Sequence, residues 1–409
     1  MHLGWRPLTF AGISAVQSRL PCRRSFYLKT QSIYAPAGSN PHQPDDNAFL
    51  PFVFRQAQNL VIRAATHRNS RSETMPTHPH KKVFAVAPMI DWTDRHCRFL
   101  HRQLSSRALL YTEMVVADAI IHGPRERLLS YSPAEHPVAL QLGGSNAEKL
   151  SEAIRIAGDY GYDEINLNVG CPSDRVQSGT FGACLMRDPA HVADLVTAMK
   201  KVSQAPVTVK CRIGVDDQVP ADVLPDFLAR MIGAGADAIW IHARKAWLQG
   251  LSPKQNREVP PLDYDLVHRM KRENPDVFLG INGGIADLKQ ASEHLEVMDG
   301  VMLGRAAYHN TGLLAGVDAL LDGRLEYPDP DWLALRDAMI AYADQVIASG
   351  GRLHHVTRHM VGLFQGYPGA RRFRQILSSE ATKPGAGTEI LTAAFAAVDL
   401  SSGLEKAAG

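Results

Sequence analysis

Residues 83–89 read Val-Phe-Ala-Val-Ala-Pro-Met. A short, near-continuous apolar run of this kind suits a strand in a sheet covered on both faces. The residues that end it decide between two folds. A doubly wound open sheet usually carries a GxGxxG turn after its first strand. Here the run ends in Ala87-Pro88-Met89. Working outward, similar runs recur: LLYTEMV (109–115), PVALQLGG (137–144), EINLNVGCP (164–172), PVTVKCRIG (206–214), AIWIHAR (238–244), VFLGING (277–283) and GVMLGRA (300–306). Amphipathic helices separate them. In 145–161, Ser145 is the expected N-cap, Leu150, Ile154 and Ala157 share a face, and Gly161 ends the helix. In 188–202, Asp188 caps and Pro189 takes the first helical position. Eight strand–helix units in about 240 residues is the count of a (β/α)8 TIM barrel, an α/β fold.

After residue 307 the rhythm stops. Residues 331–349, 352–364 and 387–399 read as helices, a smaller C-terminal helical domain. The expected organisation is an N-terminal extension (1–80), a barrel catalytic domain (81–325) and a helical domain (326–409). The 409 residues are 45% hydrophobic and support a large core. No run approaches the roughly 18 apolar residues of a membrane span. Net charge is +2, but residues 1–74 hold nine Lys and Arg against three acids, so the remainder is net acidic. Arg- and Ser-rich composition there matches a transit peptide; the alternatives are a disordered tail or an upstream start, with Met75 near the first strand. Five cysteines without CxxC spacing point to a reducing compartment and no structural metal.

A barrel enzyme places its chemistry at the C-terminal ends of its strands. Polar residues collect there: Glu113, Gln141, Asn166, Asn168, Cys171, Lys210, Arg212, His242, Arg244, Asn282 and Arg305. Each alone can be a satisfied core group; their coincidence at one end is not explained by packing. Asn282-Gly283-Gly284 and Gly304-Arg305 follow strands seven and eight, where barrels often bind phosphate. Lys210 in a buried strand needs an anion, from a cofactor or from a carboxylate such as Glu113. His242 is a ligand-binding imidazole or a core histidine. Gly170 and Pro172 turn the chain around Cys171. Its thiol can act as a general acid, or as a nucleophile given a base. Cys97, Cys184 and Cys211 read as small buried hydrophobes.

These residues carry a family pattern. Ala87-Pro88-Met89 with DWTDRHCR (91–98), INLNVGCPSDRV (165–176), IHARKAWLQGLSPKQNRE (241–258), INGGI (281–285), DGVMLGR (299–305) and PGARRFR (368–374) resemble the tRNA-dihydrouridine synthases, specifically their A-type bacterial branch. The resemblance runs from about residue 83 to about 380. It implies FMN-dependent reduction of the C5–C6 bond of uridines 20 and 20a in the tRNA D-loop. NADPH is the implied reductant, with NADH as an alternative. Carried over by motif, Ala87, Pro88 and Met89 flank the flavin, and Gln141 and Lys210 contact its ring. His242, Asn282, Gly283, Gly284, Gly304 and Arg305 hold its phosphate side. Cys171 is the implied proton donor, Asn168 lies near the uracil, and Lys254 and Arg257 face RNA. One departure is Cys211, where Thr is more usual in VKTRIG.

A net-acidic body can still bind RNA locally. Residues 345–379 contain no Asp or Glu but hold Arg352, Arg358, Arg371, Arg372 and Arg374. Arg358, Arg371 and Arg372 are the expected phosphate contacts there, and Tyr367 and Phe373 read as core. The expected protein is a cytoplasmic monomer with no membrane or metal partner. Rival readings are an FMN-dependent reductase of free pyrimidines and a non-catalytic RNA-binding barrel.

Overall fold

A computed structural model describes residues 81–173, 181–324 and 326–400. The N-terminal segment 1–80, with its targeting, tail and start-site readings, lies outside the described residues, as do 174–180 and 401–409. The eight expected strands are β1 (Val83–Val86), β2 (Leu109–Val116), β3 (Val138–Gly143), β4 (Glu164–Val169), β5 (Val207–Arg212), β6 (Ala238–His242), β7 (Leu279–Asn282) and β8 (Gly300–Leu303). They pair in sequence order, all parallel, and β8 closes on β1. The barrel is therefore as the sequence reads. Most strands end earlier than the apolar runs do. The trailing residues Ala87-Pro88-Met89, Gly170-Cys171 and Gly304-Arg305 belong to the loops above the barrel.

Strand side chains alternate between two cores. Val86, Leu110, Leu140, Leu167, Val209, Cys211, Ile241 and Leu303 face outward, into one apolar cluster with the surrounding helices. Cys211 is fully buried there, so the Thr-to-Cys departure sits on the face away from Lys210. Ala85, Leu109, Tyr111, Ala139, Trp240 and Met302 form a second cluster inside the barrel. Trp240 occupies the space left by two glycines. A Cβ on Gly280 would lie 2.1 Å from Trp240 Cε3, and one on Gly300 would lie 2.7 Å from its Cη2. The barrel floor is thus filled, and only its upper end can admit a ligand.

The outer helices follow their caps. In the order β1–α1–β2 and onward, α1 is Arg95–Leu104, α2 Ala117–His122 and α3 Arg125–Leu129. Helix α4 (Ala147–Ala157) is capped by Asn146, whose side chain accepts from Lys149 N, and not by Ser145. The two adjacent polar residues compete for one position, and Asn caps as well as Ser. Helix α5 (Pro189–Val202) starts as expected, with Asp188 accepting from His191 N. Then come α6 (Pro220–Gly233), α7 (Tyr264–Glu273), α8 (Leu288–Leu295), α9 (Arg305–His309) and α10 (Val317–Leu321).

Beyond the barrel lie α11 (Trp332–Ala348), α12 (Leu353–Thr357), α13 (Ala370–Ser379) and α14 (Glu389–Ala396). The expected helix 352–364 stops at Thr357 and continues as turns that include left-handed Phe364 (φ 62°). Leu335, Met339, Phe364, Phe373, Leu391 and Phe395 form a third apolar cluster, which Leu100 of α1 joins. Asp94, the N-cap of α1, also takes Arg358 (2.5 Å) and His359 (3.0 Å) from the C-terminal segment. Burial alone would raise the Asp94 carboxyl; hydrogen bonds and charge from His359, with Arg358, hold it well below the usual carboxylate range.

Candidate active site

The upper ends of β3, β4 and β5 carry a continuous set of inward polar side chains, spaced every second residue. Asn168 is their topmost member. Its Oδ1 accepts the backbone N–H groups of Gly170 (3.1 Å) and Cys171 (3.0 Å), which fixes the turn after β4. Its Nδ2 donates to Gln141 Oε1 at 2.8 Å, and Gln141 Nε2 donates to Asn166 Oδ1 at 2.8 Å. Arg212, buried at the end of β5, braces the same turn from the other side. Its Nε donates to Gly170 O at 2.8 Å, and its Nη1 donates to the carbonyls of Asn256 and Lys245. Cys171 O accepts from Ala183 N at 2.9 Å. The Cys171 thiol is therefore held on a fixed loop and partly exposed. Burial pushes it up, against the opposing pull of Arg212, Lys210 and Arg257. It is a thiol, not a thiolate, at neutral pH.

Lys210 points into the barrel beside this line. Its Nζ donates to Asn282 Oδ1 at 3.0 Å, and Asn282 Nδ2 donates to Met302 O at 2.7 Å. No carboxylate pairs with Lys210 among the described residues, so the salt-bridge alternative for this lysine is not met. Glu113 instead accepts the N–H of left-handed Asp91 (φ 66°). Desolvation, with Arg212 adding repulsion, lowers Lys210 to about 8. Burial, with Arg212 and Lys210 next, keeps His242 well below its ordinary value, as a neutral imidazole.

The β6, β7 and β8 ends converge on a basic rim. Gly283 (φ 115°) and Gly284 (φ 74°) turn the chain against His242 and Leu262. A Cβ on Gly283 would lie 2.6 Å from His242 Cδ2, so only glycine fits. Tyr264 OH donates to Gly283 O at 2.6 Å. Arg305 pairs with Glu258 at 2.8 Å and donates to Arg257 O at 3.3 Å. Arg244 Nη1 donates to Glu258 O and Pro260 O, while its buried Nε has no partner among the described residues. Ala87, Met89 and Gly304 close the ring. A Cβ on Gly304 would sit 3.4 Å from Met89 Sδ and 3.6 Å from Ala87 Cβ. Pro88 is the residue between them, partly buried.

These observations fit a phosphorylated flavin: among the described residues, a half-buried lysine with no carboxylate partner and an arginine Nε with no acceptor, beside a glycine cradle among cations. Lys210 and Gln141 would meet its ring, and His242, Asn282, Gly283, Gly284, Gly304 and Arg305 its phosphate side. Lys254 and Arg257 lie at the short 3-10 turn Gln255–Arg257 on the same rim, both exposed. Asn256 pins that loop through Trp247 N and the carbonyls of Trp247 and Leu251. Arg358 follows the end of α12, and Arg371 and Arg372 stand on α13. Arg358 is already paired with Asp94, whereas exposed Arg371 and Arg372 have no ion pair among the described residues.

Three contributors escaped sequence reading: Glu164, Thr208 and Asn256. The first two lie two residues below named polar positions, on the inward face of β4 and β5. That two-residue spacing was the available signal.

A protein-family model described as Dihydrouridine synthase (Dus) matches residues 85–399. A protein from Shewanella oneidensis named tRNA-dihydrouridine(20/20a) synthase is 54% identical over 78% of this chain and 94% of its own length. One of the same name from Escherichia coli K12 is 55% identical, covering 75% of this chain and 89% of that protein. A third, from Xanthomonas campestris, is 54% identical over 77% and 93%. The chain belongs to the dihydrouridine synthase family, and it is an oxidoreductase.

Proposed function

We propose that this protein reduces uridines 20 and 20a of the tRNA D-loop to 5,6-dihydrouridine, with FMN as cofactor, NADPH as reductant and Cys171 as proton donor. The observation that carries the reading is the Cys171 thiol, held on a turn that Asn168 and Arg212 fix, above a lysine that has no carboxylate partner among the described residues. The names of the relatives support tRNA as substrate and positions 20 and 20a as targets. Bound FMN would supply the hydride that uracil C6 receives. The chain's own residues do the rest. Gln141 and Lys210 orient the ring, and His242, Asn282, Gly283, Gly284, Gly304 and Arg305 hold the phosphate side. Asn168 lies beside the pyrimidine. The Cys171 Sγ proton goes to uracil C5, and the resulting thiolate is stabilised by neighbouring Arg212, Lys210 and Arg257. One hydride and one proton saturate the C5–C6 bond.

The filled barrel floor leaves only the upper opening, so the uridine must leave its stack to enter, which a loop nucleotide does readily. Lys254 and Arg257 take backbone phosphates at the rim, and the 326–409 segment offers Arg371 and Arg372 for the tRNA body. Such an enzyme works in the cytoplasm as a monomer.

The test is direct. Purified protein should be yellow, and NADPH should bleach it without air. Cys171→Ala should keep the flavin and its bleaching but lose dihydrouridine formation by about 100-fold or more, in line with removal of a positioned general acid. Full activity of this variant refutes the proton-donor role. Reduction of free uracil in place of tRNA moves the protein to the free-pyrimidine reductases.

A further inference from the structure

The polar line under Cys171 does not stop at Asn166. Asn166 Nδ2 donates to Thr208 Oγ1 at 2.7 Å, and the Thr208 hydroxyl donates to Glu164 Oε1 at 2.5 Å. Tyr111 OH donates to the same oxygen. Glu164, Asn166 and Thr208 are all fully buried, and Glu164 Oε2 has no partner among the described residues. The family reading uses the upper members of this line. It gives Glu164, at the base, nothing to do.

The line has a direction. Its top end is two backbone N–H groups, which can only donate. Its bottom end is a carboxylate oxygen, which accepts in either protonation state when the proton sits on Oε2. Between them, every amide must present oxygen upward and nitrogen downward. Side-chain amides are near-symmetric in shape, so their orientation is set by partners alone. Without that oxygen the Thr208 and Tyr111 hydroxyls both lose their acceptor. One can donate to the other, but one donor is still left over, and the remaining side chain bonded to Thr208 is Asn166. Turning Asn166 to accept it places nitrogen against Gln141 nitrogen. The conflict then passes to Asn168 and the Cys171 turn. A partly satisfied buried network of this kind is costly and loses its single arrangement.

We propose that Glu164 is a positioning residue: its Oε1 is the terminal acceptor of a one-directional hydrogen-bond relay that fixes the amide orientation of Asn166, Gln141 and Asn168 and thereby the Cys171 turn. The inference rests on the proposed roles of Cys171 and Gln141. It requires the acceptor oxygen, not the charge, which separates it from an electrostatic role.

Three variants of the full chain test it. Glu164→Gln keeps an acceptor oxygen, Glu164→Met removes it, and Thr208→Val cuts the relay while leaving Glu164 in place. Two assays are read: steady-state kinetics on unmodified tRNA, giving kcat and KM, and the alkylation rate of Cys171 followed by peptide mass mapping. The second needs no catalysis. Glu164→Gln should stay within about threefold of wild type in both. Glu164→Met and Thr208→Val should lower kcat about 10- to 100-fold with little change in KM, as small misplacements of reacting groups do. Both should also change the Cys171 alkylation rate severalfold. Wild-type kcat and alkylation in Thr208→Val overturn the relay, as does Glu164→Gln impaired as deeply as Glu164→Met. If Glu164→Met does not fold, Thr208→Val and Glu164→Gln decide alone. A wild-type protein that forms no dihydrouridine overturns the proposed function instead, and the alkylation arm still decides the relay.

Discussion

Cys171 and Glu164 are two acids at opposite ends of one hydrogen-bonded line, and burial pushes both up. For Cys171, the proton-bearing form persists above the ordinary thiol value of about 8.5. Alkylation of Cys171 should therefore be slow at pH 7 and accelerate only above the ordinary thiol range, and dihydrouridine formation should stay flat across neutral pH. Rapid thiolate-like alkylation at pH 7, measured by the same peptide mapping, contradicts this. Glu164 is raised from 4.5 to about 7, chiefly by desolvation, against hydrogen bonds from Thr208 and Tyr111. Asp237 and Asp163 add repulsion, while Lys200 and His136 pair with those two acids. A carboxyl whose native pKa is raised binds its proton more tightly folded than unfolded, so its stability contribution falls as pH rises from 4.5 to about 7. Relative to Glu164→Gln, wild-type Tm should decline over that window; a parallel pair of Tm curves contradicts it. The upper site was legible because its polar residues interrupt apolar strands. Glu164 and Thr208 were not, because they sit at the strand bases, where a barrel carries no chemistry and a polar residue reads as chain boundary.

At the scale of elements, the barrel packs around a single large side chain. Trp240 reaches across to Gly280 and Gly300 and leaves no room for a methyl at either. Gly280→Ala should cost about 1–3 kcal/mol by overpacking, read as a lower Tm, and an unchanged Tm would contradict the filled floor. The strand count was readable because each β-branched run is short and bounded. Helix α13 was missed, although Ala370, Phe373, Ile376 and Leu377 are its buried residues at helical spacing. Three arginines within five positions read first as a charged patch, and the apolar stripe between them was overlooked. The same helix shows why both descriptions hold. Phe373 is fully buried while Arg371, Arg372 and Arg374 are exposed. The expectation that Tyr367 and Phe373 are core agrees with their burial. The cap of α4 went to Asn146 because neighbouring Ser and Asn are chemically equivalent signals.

At the scale of the molecule, charge is distributed by function and not by total. A near-neutral chain places Arg244, Arg257 and Arg305 around one opening and Arg371, Arg372 and Arg374 on the C-terminal helices. Arg358 is offset by Asp94, which ties α1 to the C-terminal segment, so its loss should cost stability more than RNA affinity. Arg371→Glu with Arg372→Glu should weaken tRNA binding and flatten its salt dependence by a slope of about 1 to 2, while NADPH still bleaches the flavin at the wild-type rate. Unchanged binding would move the RNA surface off the helical segment. The most direct measurement of the central claim is site mapping of dihydrouridine in an unmodified tRNA transcript after incubation with purified protein, FMN and NADPH. The account predicts dihydrouridine at positions 20 and 20a with the wild-type chain and none with Cys171→Ala. No dihydrouridine with the wild-type chain, or equal amounts with both proteins, would contradict it.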